Sequence, residues 1–420
     1  MNKKTLKYRW LLDRLNSSGN RRIVVITGAR QTGKTTLVRL KYPDLNYINL
    51  DSIEDRQVIA EIRTGAWARV IGEAVIDEAQ KEPSVFEKVK WAFDQGEIDF
   101  TVLTGSSRIL LLSGVKETMA GRAFLFDLWP LMASELLHDM NDRPAPPLIH
   151  RLVQSDQDIS HHLKEESPVL LSKDEEAPLW ATEHLAMWGG MPELLFLEKE
   201  ERRQWLSSYL QTFLERDLAD LARIRDLSPF LKLQRLAMLR SGQLLSYSEL
   251  ARDAGISVNT AKRFLEYLKI SYQAVLLKPW SRNLTSRVIK APKLYWLDMG
   301  ILRQGTRRWG EPDGNMFETL VVGEIYKWVK TMCPDTGLYF YRTRSGMETD
   351  LVLEMETGII GMEIKNRKQV NRADFRSLRV LAQKLGDEWK GGIVVYSGRE
   401  IISFSEEYRL WAVPLHRLIC

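Results

Sequence analysis

One stretch narrows the choice of fold more than any other. Arg22-Ile23-Val24-Val25-Ile26-Thr27 runs straight into Gly28-Ala29-Arg30-Gln31-Thr32-Gly33-Lys34-Thr35-Thr36, and Leu37-Val38-Arg39-Leu40 continues at helical spacing. A β-branched run, a Gly-x-x-x-x-Gly-Lys-Thr turn and the start of a helix together describe the strand–loop–helix unit of a phosphate-binding loop. Gly28 and Gly33 allow a tight turn whose backbone N–H groups face a phosphate, and the helix N-terminus adds a field that favours negative charge. On this reading Gly28, Ala29, Arg30, Gln31, Thr32, Gly33, Lys34, Thr35 and Thr36 form the nucleotide-binding set. Lys34 reaches the β- and γ-phosphates of ATP, and the Thr35 hydroxyl holds its Mg²⁺.

The residues that follow supply the rest of such a site. Ala74-Val75-Ile76-Asp77-Glu78 reads as a buried strand ending in two carboxylates, with Asp77 expected in the Mg²⁺ shell and Glu78 expected to polarise the attacking water. Phe100 to Gly105 reads as another strand, and Ser106 at its polar end is a candidate sensor of the γ-phosphate or simply part of a Ser/Gly turn. Arg122 follows Gly121 and reads either as an arginine finger for a neighbouring subunit or as a surface ion-pair residue. The alternation of strands and helices predicts a doubly wound parallel sheet with nucleotide at the carboxyl ends of its strands.

Composition excludes several classes. A chain of 420 residues is long enough for about two to four domains. No apolar run approaches the ~20 residues that cross a bilayer, and the basic start lacks the apolar core of a signal peptide, so a cytoplasmic protein away from membranes is expected. Cys333 and Cys420 are the only cysteines and, like the six histidines, show no ligand spacing. That argues against a disulfide framework or a zinc site. The net charge of +5 is unevenly spread: between Ala222 and Arg303 there are 15 Lys/Arg against 5 Asp/Glu, which suggests a polyanionic partner.

Within that basic stretch, Ser246 and Glu249 mark the start of one helix, Gly255 its end, and Ser257 the start of a second. Two short helices joined by a tight turn are a helix-turn-helix pattern. The second helix carries Asn259, Thr260, Lys262 and Arg263 near its start, where such helices meet DNA. Two strand-like runs flank a basic turn with Arg282, Arg287 and Lys290, a candidate wing. Such a module serves either DNA contact or protein packing.

Further on, a helix is expected from Phe317 to Tyr326, followed by strands near 338–343, 349–355 and 359–365. Side chains alternate along a strand, so Glu363 and Lys365 share a face and converge with Asp350. This resembles the Asp…Glu-x-Lys set of restriction-endonuclease-type nucleases, in which Asp350, Glu363 and either Glu324 or Glu318 bind Mg²⁺ while Lys365 assists the attacking water. The same fold also persists as an inactive binding platform.

Taken together, the chain resembles prokaryotic AAA-type ATPases that carry a winged helix and a restriction-endonuclease-like C-terminal domain. The resemblance rests on Gly28 to Thr36, Asp77-Glu78-Ala79-Gln80, Leu103 to Ser107, Ala120-Gly121-Arg122-Ala123, Pro130 to Glu135, Gly189 to Glu193, Glu215-Arg216-Asp217, Pro292 to Tyr295 and Asp298-Met299-Gly300. It implies an α/β chain with an ATPase core at 1–136, a helical lid at 186–240, a winged helix-turn-helix at 241–305 and a nuclease-like α/β domain at 310–420. Residues 137–185 depart from the pattern and read as a polar insertion or mobile loop. The resemblance further implies ATP and Mg²⁺ as cofactors and a homo-oligomeric, hexameric ring. Three functions remain open: ATP-driven DNA remodelling or processing, an ATP-gated nuclease, and a nucleotide-dependent switch that recruits proteins.

Overall fold

The computed structural model of the protein describes residues 5–106, 111, 114–115, 119–222, 226–283, 287, 291–343 and 345–420, and the side chains of all these except 213–222. The apolar run before the glycine-rich turn forms strand β1 (Arg22–Thr27), and Ile23, Val24, Val25 and Ile26 are wholly buried. A strand apolar on both faces needs cover on both faces, which parallel sheets receive from helices. β1 lies in such a sheet with β2 (Asn46–Asn49), β3 (Ala74–Asp77), β4 (Phe100–Gly105) and β5 (Ala123–Asp127), all parallel, in the order β2-β3-β4-β1-β5. β4 thus separates the two strands that carry the glycine-rich turn and the acidic pair. The register sets Thr27 beside Gly105 on one side and Asp127 on the other, so three strand ends meet at one edge.

A second sheet of nine strands holds the rest of the chain together. β6 (Gln243–Leu244), β7 (Ala274–Pro279) and β8 (Lys293–Trp296) lie at one end. β9 (Gly337–Arg342), β10 (Glu348–Met355), β11 (Gly358–Lys365), β12 (Trp389–Tyr396), β13 (Ile402–Ser405) and β14 (Leu410–Pro414) complete the order β13-β14-β12-β11-β10-β9-β7-β8-β6. The pairing of β7 with β9, Lys278 with Tyr339 and Pro279 with Phe340, makes the junction. Residues 241–305 and 310–420, expected as separate modules, therefore share one sheet.

Between the sheets, helix Gly314–Met332 is buried on most of its surface, with Phe317, Leu320, Val321 and Ile325 in the largest apolar cluster. The amino-terminal segment docks on it, Trp10 meeting Trp328 edge to face at 5.0 Å between ring centres. The segment 137–185 is not a loop. It forms helices Leu148–Gln154, Ile159–Glu165 and Ser172–Trp188, and Ile149, Leu152, Ile159 and Leu163 pack in that same cluster. Its polar composition misled because charged residues such as Glu175 are buried, here paired with Arg399 and beside the His416 ring.

In the basic stretch, helix Tyr247–Ala254 starts where the Ser246 hydroxyl accepts from the Glu249 N–H, and it ends at Gly255, whose φ of 74° suits a residue without Cβ. Ser257 caps helix Val258–Ile270 by accepting from Thr260 N–H at 3.1 Å. Among the described residues, no helix is long and apolar enough to cross a membrane.

Candidate functional site

At the end of β1, a side chain on Gly28 would collide with the Leu128 carbonyl oxygen, 2.3 Å from the position of its Cβ. Gly33, at φ 95°, turns the chain into helix Lys34–Lys41. The loop is held from outside by Arg9, which donates to the Thr32 carbonyl at 2.9 Å, and from inside by the Thr32 hydroxyl on the Ala29 carbonyl at 2.9 Å. Lys34 is buried with its ammonium on the Gly28 and Ala29 carbonyls, at 2.9 and 2.8 Å. These partners are neutral, so a phosphate competes with them favourably for the charge.

Asp77 is the hub of the acidic side. Its Oδ2 accepts from the Thr35 hydroxyl and from Tyr47 OH, both at 2.6 Å, and its Oδ1 from the Thr104 hydroxyl. Burial, and next Asp77 itself, push the Tyr47 phenol well above its ordinary pKa, so Tyr47 stays a donor. Glu78 takes a left-handed conformation, φ 55°, which turns its carboxylate towards β4. There its Oε2 accepts from Gln80 Nε2 at 2.5 Å and from the Ser106 hydroxyl at 3.1 Å. Ser106 is thus beside the glycine-rich loop as expected, but bonded to Glu78. Thr35 Oγ and the Asp77 carboxylate are hard oxygen donors of the kind that Mg²⁺ takes along with phosphate and water, so this pair fits the ion.

Beside the loop opens a cleft lined by Leu6, Gly33, Leu37, Met140, Leu195 and Phe196 among others. Its walls are mainly apolar and come from four separate parts of the chain. Thr32, Gly33 and Thr36 belong to the glycine-rich motif, but no local motif marks Leu6, Met140, Leu195 or Phe196, so sequence reading missed them, as it missed the roles of Arg9, Tyr47 and Gln80.

Within this chain Arg122 forks onto Asp94, Nε at 2.6 Å and Nη2 at 3.0 Å.

The second constellation lies in the nine-stranded sheet. β10 and β11 run antiparallel with Leu351 opposite Met362, which sets Asp350 and Glu363 side by side. Asp350 accepts from Ile364 N–H at 2.9 Å, and Glu363 accepts from Lys365 at 2.6 Å and from Ser377 at 2.8 Å. The helix contributes Glu318, not Glu324. Glu324 is turned away, accepting from Ala133 N–H at 2.9 Å and pairing with Lys327. A residue that the motif gives no hint of, Lys293 of β8, donates to Glu318 at 2.7 Å and Glu348 at 2.5 Å and sits 3.7 Å from Asp350. Burial, and next Asp350, raise the Glu318 carboxyl to about 7 despite Lys293, and the same two causes raise Glu363 to about 7. With the side chains as they stand, no three His, Cys, Asp or Glu among the described residues form a group that could hold a metal ion. Glu324 lies on Ala133 and Lys327, apart from Asp350 and Glu363, so the expected Glu324, Asp350, Glu363 set is not brought together.

Of the residues expected at DNA, Asn259, Lys262 and Arg263 are exposed on helix Val258–Ile270 and Thr260 is half-buried. The turn residues behave otherwise. Arg287 is buried and forks onto Glu354 at 2.6 and 2.8 Å, and Arg282 pairs with Glu388 at 2.8 Å. Lys290 lies outside the described residues. The local charge excess is thus partly spent inside the protein, Lys293 and Arg303 being buried too.

Residues 20–137 match a family model described as an AAA domain, in agreement with the P-loop ATPase α/β fold of the first sheet. Residues 180–308 and 313–418 each match a model described as a domain of unknown function. An uncharacterized protein of Mycobacterium tuberculosis is 27% identical over 355 residues, 82% of this chain and 70% of its own. A Walker-type ATPase of Pyrococcus abyssi is similar at 15% identity and a TM-score of 0.40, over 70% of this chain and 93% of that one. AMPPCP-bound DnaA from Aquifex aeolicus is similar at 13% identity and a TM-score of 0.26, over 61% of this chain and 85% of that one. Likenesses this distant carry no argument about function.

Proposed function

We propose that this chain binds and hydrolyses ATP with Mg²⁺ at the end of β1 and β3, and that the nucleotide state governs contact of helix Val258–Ile270 with DNA. The observation that carries the first half is the 2.6 Å bond from Thr35 to Asp77 beside a lysine whose ammonium donates to the Gly28 and Ala29 carbonyls. In this reading the loop N–H groups and Lys34 take the phosphates, and the apolar cleft of Leu6, Met140 and Phe196 takes the base. Thr35 and Asp77 hold Mg²⁺, which when bound neutralises charge on the β- and γ-phosphates. Glu78, released from Gln80 and Ser106, accepts the proton of the attacking water. Ser106, freed in the same exchange, turns to the phosphate.

A link to the helix pair supports the second half. Tyr272, two residues past helix Val258–Ile270, bonds Asp127 at 2.5 Å and also the Thr27 hydroxyl, the residue just before Gly28. A shift of the glycine-rich loop is thereby felt where the exposed Asn259, Lys262 and Arg263 are anchored. Arg122 is left out of this mechanism, since its pairing with Asp94 stands against an arginine finger, and a ring of subunits has no support beyond the resemblance. Nor is cleavage of DNA favoured, because Lys293 stands where the nuclease reading needs a metal ion.

ATP turnover of the parent and of Lys34→Ala decides the first half: a loss of about 100-fold or more is expected, and equal turnover removes the reading. For the second, filter binding of duplex, forked and single-stranded DNA at graded salt is expected to show a log–log salt slope that falls by about 2 in Lys262→Ala/Arg263→Ala. Failure to retain any DNA at low salt, with turnover indifferent to DNA, makes the helix pair a protein-recruiting module instead.

A further inference from the structure

The Asp350, Glu363, Lys365 constellation has the residue types of a metal-dependent nuclease, yet a buried cation, Lys293, already lies 3.7 Å from Asp350. Lys293 is about 4% exposed on its side chain, and its three N–H donors face a ring of carboxylates drawn from two elements: Glu318 from helix Gly314–Met332, and Glu348 and Asp350 from β10. Glu318 is fixed further by Tyr295 OH at 2.6 Å, and Glu363 is taken up by Lys365 and Ser377. Lys293 Nζ is 3.7 Å from Asp350 Oδ1, so a divalent ion bound to Asp350 at the usual ~2.0–2.1 Å would lie close to the ammonium, and like charges so close repel.

We propose that Lys293 is the resident cation of this cluster: it replaces the divalent ion of a nuclease site, leaves the cluster metal-free, and clamps strand β8 onto helix Gly314–Met332 and β10. The Asp350, Glu363, Lys365 set then serves assembly of the nine-stranded sheet and is closed to metal-dependent cleavage. Removal of the ammonium leaves a ring of carboxylates with oxygen donors only, and this ring takes up a divalent ion.

Titration of the full-length chain with Mn²⁺ alone, without nucleotide, followed by the electron paramagnetic resonance of the free ion, tests this. The parent is expected to show no uptake that depends on Asp350, its isotherm matching that of Asp350→Asn. Lys293→Met is expected to gain one site, at least about tenfold tighter than any in the parent, together with a rise in melting temperature on adding Mn²⁺; Lys293→Met/Asp350→Asn is expected to lose both. Uptake by the parent that Asp350→Asn abolishes overturns the proposal, as does a folded Lys293→Met chain without the new site. Should Lys293→Met not fold, as judged by circular dichroism, the comparison of the parent with Asp350→Asn decides alone. No step involves ATP, so the outcome is independent of the nucleotide reading.

Discussion

Two regions of this molecule place carboxylates beside a buried lysine, and they differ in what the lysine touches. At the end of β3, Asp77 is surrounded by the hydroxyls of Thr35, Tyr47 and Thr104, while Lys34 rests on the carbonyls of its own loop. At β10, Asp350, Glu348 and Glu318 surround the ammonium of Lys293 directly. In the first region the hydroxyls on Asp77 and the loop carbonyls on Lys34 are neutral dipoles that can be exchanged for a cation or a phosphate. In the second it is already neutralised, and displacing Lys293 leaves an uncompensated buried charge, which is expensive. Whether acidic residues recruit an outside ion is therefore decided by where the nearest internal cation reaches.

The sharpest way to break this comparison is Lys293→Met, which is expected to lower stability by about 3–5 kcal/mol in denaturant titrations made with a chelator. A loss near zero would mean that the ammonium is not the counter-charge of the cluster. Asp77→Asn is expected to do the converse, reducing ATP turnover about 100-fold or more with little change in melting temperature, since the amide oxygen still accepts on one side and the amide N–H groups donate to hydroxyl oxygens on the other. If it unfolds the chain instead, the first region is as structural as the second.

A pH series sharpens the contrast. Glu318 and Glu363 are raised from 4.5 to about 7 by burial and by Asp350, so between those values the folded chain holds protons that the unfolded chain has released. Their contribution to stability is full below pH 4.5 and is lost as pH rises through 7. Each group is expected to account for about 1–3 kcal/mol of that decline. Glu318→Gln is expected to flatten it, and identical pH profiles for parent and variant would contradict the assignment. The smallest effect is expected from Tyr272→Phe, about 1 kcal/mol of stability for the lost hydroxyl bonds. Because that hydroxyl joins Thr27 and Asp127 to the helix pair, the same variant should also uncouple ATP turnover from DNA, and unchanged stimulation by DNA would argue against the link.

How far the sequence was legible follows from how local each signal is. Gly28, Gly33, Lys34, Asp77 and Ser106 lie at strand ends whose apolar runs are unmistakable, and a parallel sheet brings such ends to one edge whatever else the chain does. Helix Val258–Ile270 was equally legible, since Gly255 and Ser257 act within a few residues of themselves. The expectation of Glu324 as a ligand failed because Glu318 and Glu324 sit on the same helix, and helical periodicity alone does not say which face meets β10. Arg287 was misplaced for a related reason: it reads as an exposed basic residue until Glu354 arrives from a strand 67 residues later.

By itself, then, the chain determined its phosphate loop, its acidic pair, its paired helices and the Asp350, Glu363 and Lys365 alternation, all set by hydrogen bonding and side-chain periodicity over a few residues. Only the tertiary structure decided that β7 and β9 join two modules into one sheet, that 137–185 packs as helices, and that Lys293 closes the carboxylate ring. These depend on burial and on Coulomb interactions between groups far apart in sequence, whose strength is set by distance and solvent exclusion, neither of which exists until the fold has formed.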